Sequence, residues 1–152
     1  MIIHVDADAC PSKSLIEEIC VKYEVELVYY CCFSNVFYST QGKTILVDDG
    51  FQSVDMKIAN SCKQGDIVIT QDYGVASMVL GMGCLAINPN GIIYDEYNID
   101  QMLETRYLSA KVRRGGGRVA NAKKRDYKDE TRLKQNLERL IQKILFKGGF
   151  QR

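Results

Sequence analysis

The chain has 152 residues, with no tryptophan, two prolines and a single histidine, His4. None of its six cysteines forms a C-x-x-C pair. That inventory argues against a zinc centre, which needs three or four closely spaced Cys or His ligands. Cys10, Cys20, Cys31, Cys32, Cys62 and Cys84 are scattered, mostly inside apolar runs, and read as reduced and buried. Nothing around the adjacent Cys31–Cys32 pair points to redox chemistry. A run of 18 apolar residues is also missing, so no membrane partner is expected. The N-terminus enters a strand-like segment without a basic n-region or cleavage site, and a cytoplasmic protein is expected.

An excess of one charge is missing overall but present locally. The formal net charge is +1. Between Lys111 and Lys128, however, eight basic residues stand against one acid, Asp126. They are Lys111, Arg113, Arg114, Arg118, Lys123, Lys124, Arg125 and Lys128. A segment of +7 in a chain of +1 leaves −6 elsewhere, and an acidic body with a basic arm suits a polyanionic partner. The arm folding back on the acidic body is the other reading.

Strand and helix signals alternate over the first two-thirds. Ile2–Val5, Val25–Cys32, Thr44–Val47, Asp66–Thr70 and Cys84–Ile87 read as strands. Helices are expected over about 12–24, with Leu15, Ile16, Ile19 and Cys20 on one face, and over about 52–63, with Val54, Ile58 and Cys62. A third carries Val75, Met78, Val79 and Met82 and is stopped by Gly83. Asn88-Pro89-Asn90-Gly91 is a turn. The order predicts an α/β sandwich with a mainly parallel sheet. A helical pattern from Ile99 to Val112 then gives way to RRGGGRVANAKKRDYKDE, which has no period and reads as a loop or arm. The last helix spans about 129–146, with Leu133, Leu137, Leu140, Ile141 and Ile144 as a core stripe or a dimer seam, and residues 147–152 frayed. The expected organisation is an α/β core over 1–113, a basic arm over 114–128 and a C-terminal helix over 129–152, in one domain overall. Oligomeric state stays open, a homodimer included.

The opening stretch MIIHVDADACPSK ends a buried strand on two carboxylates, Asp6 and Asp8. Open parallel sheets bind ligands outside the carboxyl ends of their strands. Asp72, after the strand ending at Thr70, and Asp55, at the start of the helix after the third strand, fall at the same edge. Each such pair at about 5 Å repels by roughly 3 kcal/mol at an effective dielectric near 20. A divalent cation removes that cost, and an all-oxygen donor set favours Mg²⁺ or Mn²⁺. Taken singly, Asp8 and Asp72 read rather as helix caps and Asp55 as a solvated acid, and it is the coincidence of four at one sheet edge that shifts the balance to a metal. Asp48, Asp49 and Asp95 read as solvated turn residues, and His4 as structural.

VDADACP, VDMKIAN, GDIVITQDYGVAS, NPNGIIYDEYNI and RYLSAKVRRGGGR resemble the uncharacterised bacterial family UPF0178, also called DUF188. The resemblance covers nearly the whole chain. It implies a PIN-like three-layer sandwich related in fold to metal-dependent ribonucleases, with C-terminal helices and the basic arm added. Asp6 then matches the first acid of that site and Asp72 the acid after Thr70. Asp8 belongs to the family's own signature and Asp55 to its mid-chain acid. One departure is visible, since His4 stands where an aromatic or aliphatic residue is more usual.

The reading that follows is a nuclease, most simply for RNA, with Asp6, Asp8 and Asp72 catalytic and Asp6, Asp8, Asp55 and Asp72 holding Mg²⁺ or Mn²⁺. Thr70, Ser12 and Asn35 are candidates to orient a phosphate or water. Arg113, Arg114, Arg118, Lys123, Lys124 and Arg125 would contact nucleic-acid phosphates, and Tyr73, Tyr107 or Tyr127 could stack on a base. A non-catalytic PIN-like module binding nucleic acid or protein shares every one of these features except turnover. A haloacid-dehalogenase-like phosphatase would also start with D-x-D, but its later acidic pair is out of order here, because Asp48-Asp49 precedes Thr70.

Overall fold

Five parallel strands and one antiparallel edge strand form the sheet. The computed structural model describes residues 1–36, 39–48, 54–117 and 124–149, without the side chains of residues 9, 35, 106 and 147–149. The strands are β1 (Ile2–Asp6), β2 (Glu26–Cys32), β3 (Lys43–Val47), β4 (Ile67–Ile69), β5 (Leu85–Ile87) and β6 (Ile93–Tyr94). Their spatial order is β3-β2-β1-β4-β5-β6. The helices are α1 (Lys13–Lys22), α2 (Val54–Ser61), α3 (Tyr73–Gly81), α4 (Glu96–Arg114) and α5 (Tyr127–Gly149). The α/β class and the mainly parallel sheet are therefore as expected. β6 is the element without a sequence signal, since two residues after a turn carry no alternation to read.

Both faces of the sheet are covered, which is why its central strands are apolar throughout. On one face Ile16, Ile19 and Cys20 of α1 pack with Leu133, Leu137, Leu140 and Ile141 of α5 over Ile3, Val5, Leu27 and Tyr29. On the other, Val54 and Ile58 of α2, Val75 and Val79 of α3 and Ile99 of α4 cover Val28, Tyr30, Val68 and Ala86. The α5 stripe is thus core, and that face is not left for a dimer seam. Each of its fully buried leucines contributes about 2 kcal/mol by burial. Among the described residues no helix is long and apolar enough to cross a membrane.

Several boundaries move. α3 ends at Gly81, and Gly83 follows at φ +85, the left-handed conformation that closes a helix. α4 begins earlier than its apolar pattern, because Asp95 and Asn98 form a capping box; Asp95 is a helix cap and not a solvated turn residue. Arg113 and Arg114 fall inside α4, and Tyr127 opens α5, so both ends of the segment expected as a loop are helical. α5 continues through residue 149. Arg118, Lys123 and Asp49 lie outside the described residues, as does the start of the helix expected from residue 52.

The one histidine sits in the middle of β1, 2 % exposed. One ring nitrogen lies 2.8 Å from the Tyr30 hydroxyl and the other 2.9 Å from Asp66 Oδ2. Asp66 also accepts the backbone N–H groups of Ile2 and Lys63. Burial pushes the Asp66 carboxyl up, but the bonds from His4, Ile2 and Lys63 outweigh it and hold the group below its ordinary value.

The Asn88–Gly91 turn is where α5 docks. Arg125, just before that helix, donates to Pro89 O at 3.0 Å, Arg132 to Asn90 O at 3.2 Å and Asn136 to Gly91 O at 2.7 Å. Gly91 has φ +88, and a Cβ there would collide with the backbone of Arg132 and Leu133. Gly91→Ala is therefore expected to destabilise the protein by about 2–4 kcal/mol in urea denaturation, well above the half-kcal/mol typical of a surface change.

Candidate active site at the carboxyl edge of the sheet

The site lies where the chain connections diverge. α1 and β2 follow β1 toward one side of the sheet, while α3 and β5 follow β4 toward the other. Between the carboxyl ends of β1 and β4 this leaves the crevice in which open α/β sheets place their ligands. Asp6 is the last residue of β1, and Asp8 lies in the 3-10 turn Ala7–Ala9 that follows. Asp72 comes three residues after the end of β4, and Asp55 is in the first turn of α2.

Asp72 caps α3: its Oδ1 accepts Gly74 N–H at 2.8 Å and Val75 N–H at 3.1 Å. Thr70 builds the turn that presents it. The Thr70 hydroxyl accepts Asp72 N–H at 3.0 Å, and its carbonyl accepts the Tyr94 hydroxyl at 3.1 Å. With Thr70 1 % exposed, the structure gives it a role in orienting Asp72 rather than an open path to a ligand. Asp8 is exposed, and its Oδ2 accepts Cys32 N–H at 3.4 Å; it does not cap α1. The N-cap of α1 is Ser12.

The Asp6 carboxyl feels the other three acids. The half-buried Asp6 carboxyl is raised from its ordinary 3.8 to about 6, first by burial and then by the charges of Asp55, Asp8 and Asp72. Asp55 is raised as well, by burial, by the Asp72 charge and by a hydrogen bond with the Asp72 carboxyl. The sequence-predicted acids are thus brought within electrostatic range of Asp6. Among the described residues, however, no three acids, histidines or cysteines stand close enough together to ligate one ion directly.

The other expected residues divide. Ser12 is 6 % exposed, and its hydroxyl accepts Arg125 Nη2 at 2.6 Å. Arg125 is consequently not part of a solvent-facing arm; its guanidinium bridges the start of α1 and the turn after β5. Lys111, Arg113, Arg114 and Lys124 are exposed. Asn35 is in the 3-10 turn Phe33–Asn35, its side chain outside the description. Tyr107 and Tyr127 are exposed, whereas Tyr73 packs edge-on against Tyr94. Asp48 is exposed after β3 and precedes Thr70, so it is out of order for the later acidic pair that a dehalogenase-like phosphatase requires.

Lys13 escaped the sequence reading. It is the first residue of α1, and its ammonium donates to Cys10 O at 2.7 Å. Its place in the first turn of the expected helix, two residues after Pro11, was the available signal. The Cys10 thiol records the layout: burial raises it, the Ser12 N–H, Lys13 and Arg125 lower it, and Asp6 raises it again. Two cations and the central acid therefore share one neighbour. The thiols themselves are structural, with Cys20 and Cys84 pushed by burial up to about 12, and all six cysteines are unbridged.

Asp6 sets a pH dependence whose sign follows from its raised value. Its neutral form is favoured by folding, so its contribution is fully present below about 3.8 and is lost as pH rises through about 6. In EDTA, Asp6→Asn is expected to be more stable than wild type at pH 7 by about 1–2 kcal/mol after solvent screening, and equal to it near pH 4. Paired urea melts across that range check it; an Asn variant that is less stable at pH 7 contradicts the repulsion.

Comparison with known proteins gives kinship. The model of the family described as "Uncharacterized BCR, YaiI/YqxD family" matches residues 4–143. A UPF0178 protein of Clostridium novyi (strain NT) is 52% identical over 149 residues, 98% of this chain and 100% of that relative. One of Clostridium kluyveri is 51% identical over 141 residues, 93% of each chain, and one of Ruminiclostridium cellulolyticum is 42% identical over 137 residues, 90% of each. No solved structure matches. The names carry no activity, and the chemistry rests on the crevice alone. The chain belongs to the UPF0178 (DUF188) family.

Proposed function

We propose that the protein is a Mg²⁺- or Mn²⁺-dependent phosphodiesterase of PIN type that cleaves RNA at the β1–β4 crevice. The observation that carries this reading is the placement of Asp6, Asp8 and Asp72 at the carboxyl ends of β1 and β4, where the chain connections diverge, with Asp55 in the first turn of α2; the upward push that the other three exert on the Asp6 carboxyl agrees with it. Carboxylates that repel one another at a sheet edge are costly, and a bound cation is the simplest thing that removes the cost. The donor set fits a hard ion, since it is all oxygen. The open spacing fits one that keeps much of its water: Mg²⁺ commonly takes only one or two protein carboxylates directly.

In this reading Asp6 and Asp8, with Asp55 and Asp72 across the crevice, would hold the ion, no more than two of them directly and the others through its water. When bound, the ion supplies charge stabilisation on the phosphoryl group and a more acidic water. The chain's own residues do the positioning. Thr70 fixes the Asp72 carboxyl through the backbone of the intervening turn, and the cap bonds hold one Asp72 oxygen on α3. The exposed cations at the end of α4, Arg113 and Arg114, with Lys124, would contact phosphates along a single strand without reading sequence.

The test is a thermal melt with Mg²⁺, Mn²⁺, Ca²⁺ and EDTA, followed by cleavage of end-labelled single-stranded RNA. Wild type is expected to gain melting temperature with Mn²⁺ or Mg²⁺ and to cut RNA. Asp6→Asn and Asp72→Asn should lose both, by at least about 100-fold in rate. Asparagine keeps the cap acceptor at position 72, so that variant is expected to fold. Absence of any ion response in wild type, or cleavage unchanged in both variants, rejects the proposal. Replacing Arg113, Arg114 and Lys124 by glutamine should weaken RNA binding and lower the slope of log K against log salt by up to about 2, as measured by fluorescence anisotropy.

A further inference from the structure

α4 outlasts the body it packs on. Ile99 is buried, and Met102 and Leu103 are partly buried against the α2–α3 side, but from Glu104 to Arg114 no described residue of the helix is buried. Most helical stability in proteins comes from packing, and an uncovered helix of about a dozen residues is marginal in water. This half also holds apolar side chains in solvent: Leu108 is 51 % exposed, and Tyr107 and Val112 are exposed with it. Toward the other end Tyr97 is 75 % exposed. Tyr97, Gln101, Glu104, Leu108 and Lys111 follow one another at steps of four, three, four and three, with Val112 beside the last. Those steps draw one stripe along the helix, on the side away from Ile99, and they are the spacing of a helix–helix seam.

The charge along α4 decides what fits that stripe. From Asp95 to Glu104 there are four acids, Asp95, Glu96, Asp100 and Glu104, and no cation. From Thr105 to Arg114 there are four cations, Arg106, Lys111, Arg113 and Arg114, and no acid. Among the described residues the ion pairs are His4–Asp66, Lys22–Glu138 and Arg132–Asp129, and none involves α4. A nucleic acid laid along the whole stripe would be repelled by the acidic half. A second α4 in parallel would set acids against acids. A second α4 reversed by a two-fold axis sets each acidic half against the other copy's basic half, encloses the apolar positions and opposes the two helix dipoles.

We infer that α4 is a self-association surface, covered by the α4 of a second copy of this chain lying antiparallel along the stripe from Tyr97 to Val112. The same residues serve on both copies, so the contact closes on itself and stops at two. It is one helix wide, smaller than a standard interface, and a dissociation constant on the order of 10 μM is expected. Arg113 comes five residues after Leu108, hence on another side of the helix, and stays outside the seam. The phosphate contact proposed for it is unaffected, and the inference does not rest on the phosphodiesterase reading.

The experiment uses the full chain in EDTA and without RNA, in sedimentation velocity from about 1 to about 300 μM, which spans the dissociation expected of so small a contact. Wild type is expected to pass from monomer to dimer over that range. Raising salt from about 0.05 M to about 0.5 M should weaken the dimer several-fold by screening. Asp100→Lys with Glu104→Lys reverses the acidic half, and Lys111→Glu with Arg114→Glu the basic half. Each double variant alone should lose at least about tenfold in dimer affinity, and an equal mixture of the two should recover it, since each then meets its opposite. Leu108→Gln alters a side chain that is in solvent in the monomer and should weaken the dimer by about fivefold. A wild type that stays monomeric throughout overturns the inference. A dimer indifferent to both reversals and to Leu108→Gln overturns it too, because the copies then meet elsewhere. So does a monomer whose α4 amides are protected from exchange only when single-stranded RNA is added, which gives the stripe to nucleic acid. Should either reversal fray α4, the wild-type concentration dependence and Leu108→Gln still decide.

Discussion

The arrangement depends on β1 and β4 pairing in one register. Ile3 lies against Ile67, His4 against Val68 and Val5 against Ile69. A slip of one residue would move Asp6 by about 3.3 Å along the sheet and turn its side chain to the opposite face. Apolar residues alone tolerate such slips poorly, but these two strands are also tied at their other end. Asp66, just before β4, accepts from Ile2 N–H at the start of β1 and meets the buried His4 ring within that strand. A polar lock at the bottom of the sheet thus sets the distance between carboxylates at the top.

That lock shows where the sequence is readable and where it is silent. Alternation and helical spacing are local properties, so the central strands and the faces of α1 and α5 can be read directly. The placement of Asp6 and Asp72 follows from a general rule about parallel sheets, and it too can be read. The partner of His4 is 62 residues away, and the partner of Ser12 is 113 residues away. No local period encodes such a pairing. Arg125 illustrates the cost: in sequence it is one more cation in a basic run, and only the fold shows its guanidinium drawn into the rim. Asp95 errs the other way, since its capping box with Asn98 was present in the sequence but masked by the turn beside it.

The basic segment consequently splits into two kinds of charge. Lys111, Arg113 and Arg114 ride on the exposed last turn of α4, where they also complement the helix dipole, and Lys124 is exposed before α5. Arg125, one residue on, is spent on holding the turn after β5 and the start of α1. The former can be exchanged for other cations with small effects on the fold. The latter depends on guanidinium geometry, which lysine does not reproduce.

The clamp of α5 on the Asn88–Gly91 turn has a kinetic side. One face of the sheet takes its cover from α1 and α5 together, and α5 reaches partners as distant as Tyr23, 119 positions earlier. During synthesis the strands can pair and the face bearing α2, α3 and α4 can close well before α5 has emerged. Until then Ile3, Val5, Leu27 and Ile87 have only half their covering, an exposed apolar surface on an otherwise assembled sheet. High contact order of this kind slows the final step of folding, and the nascent chain meets its aggregation hazard there, at a point far from the carboxylates.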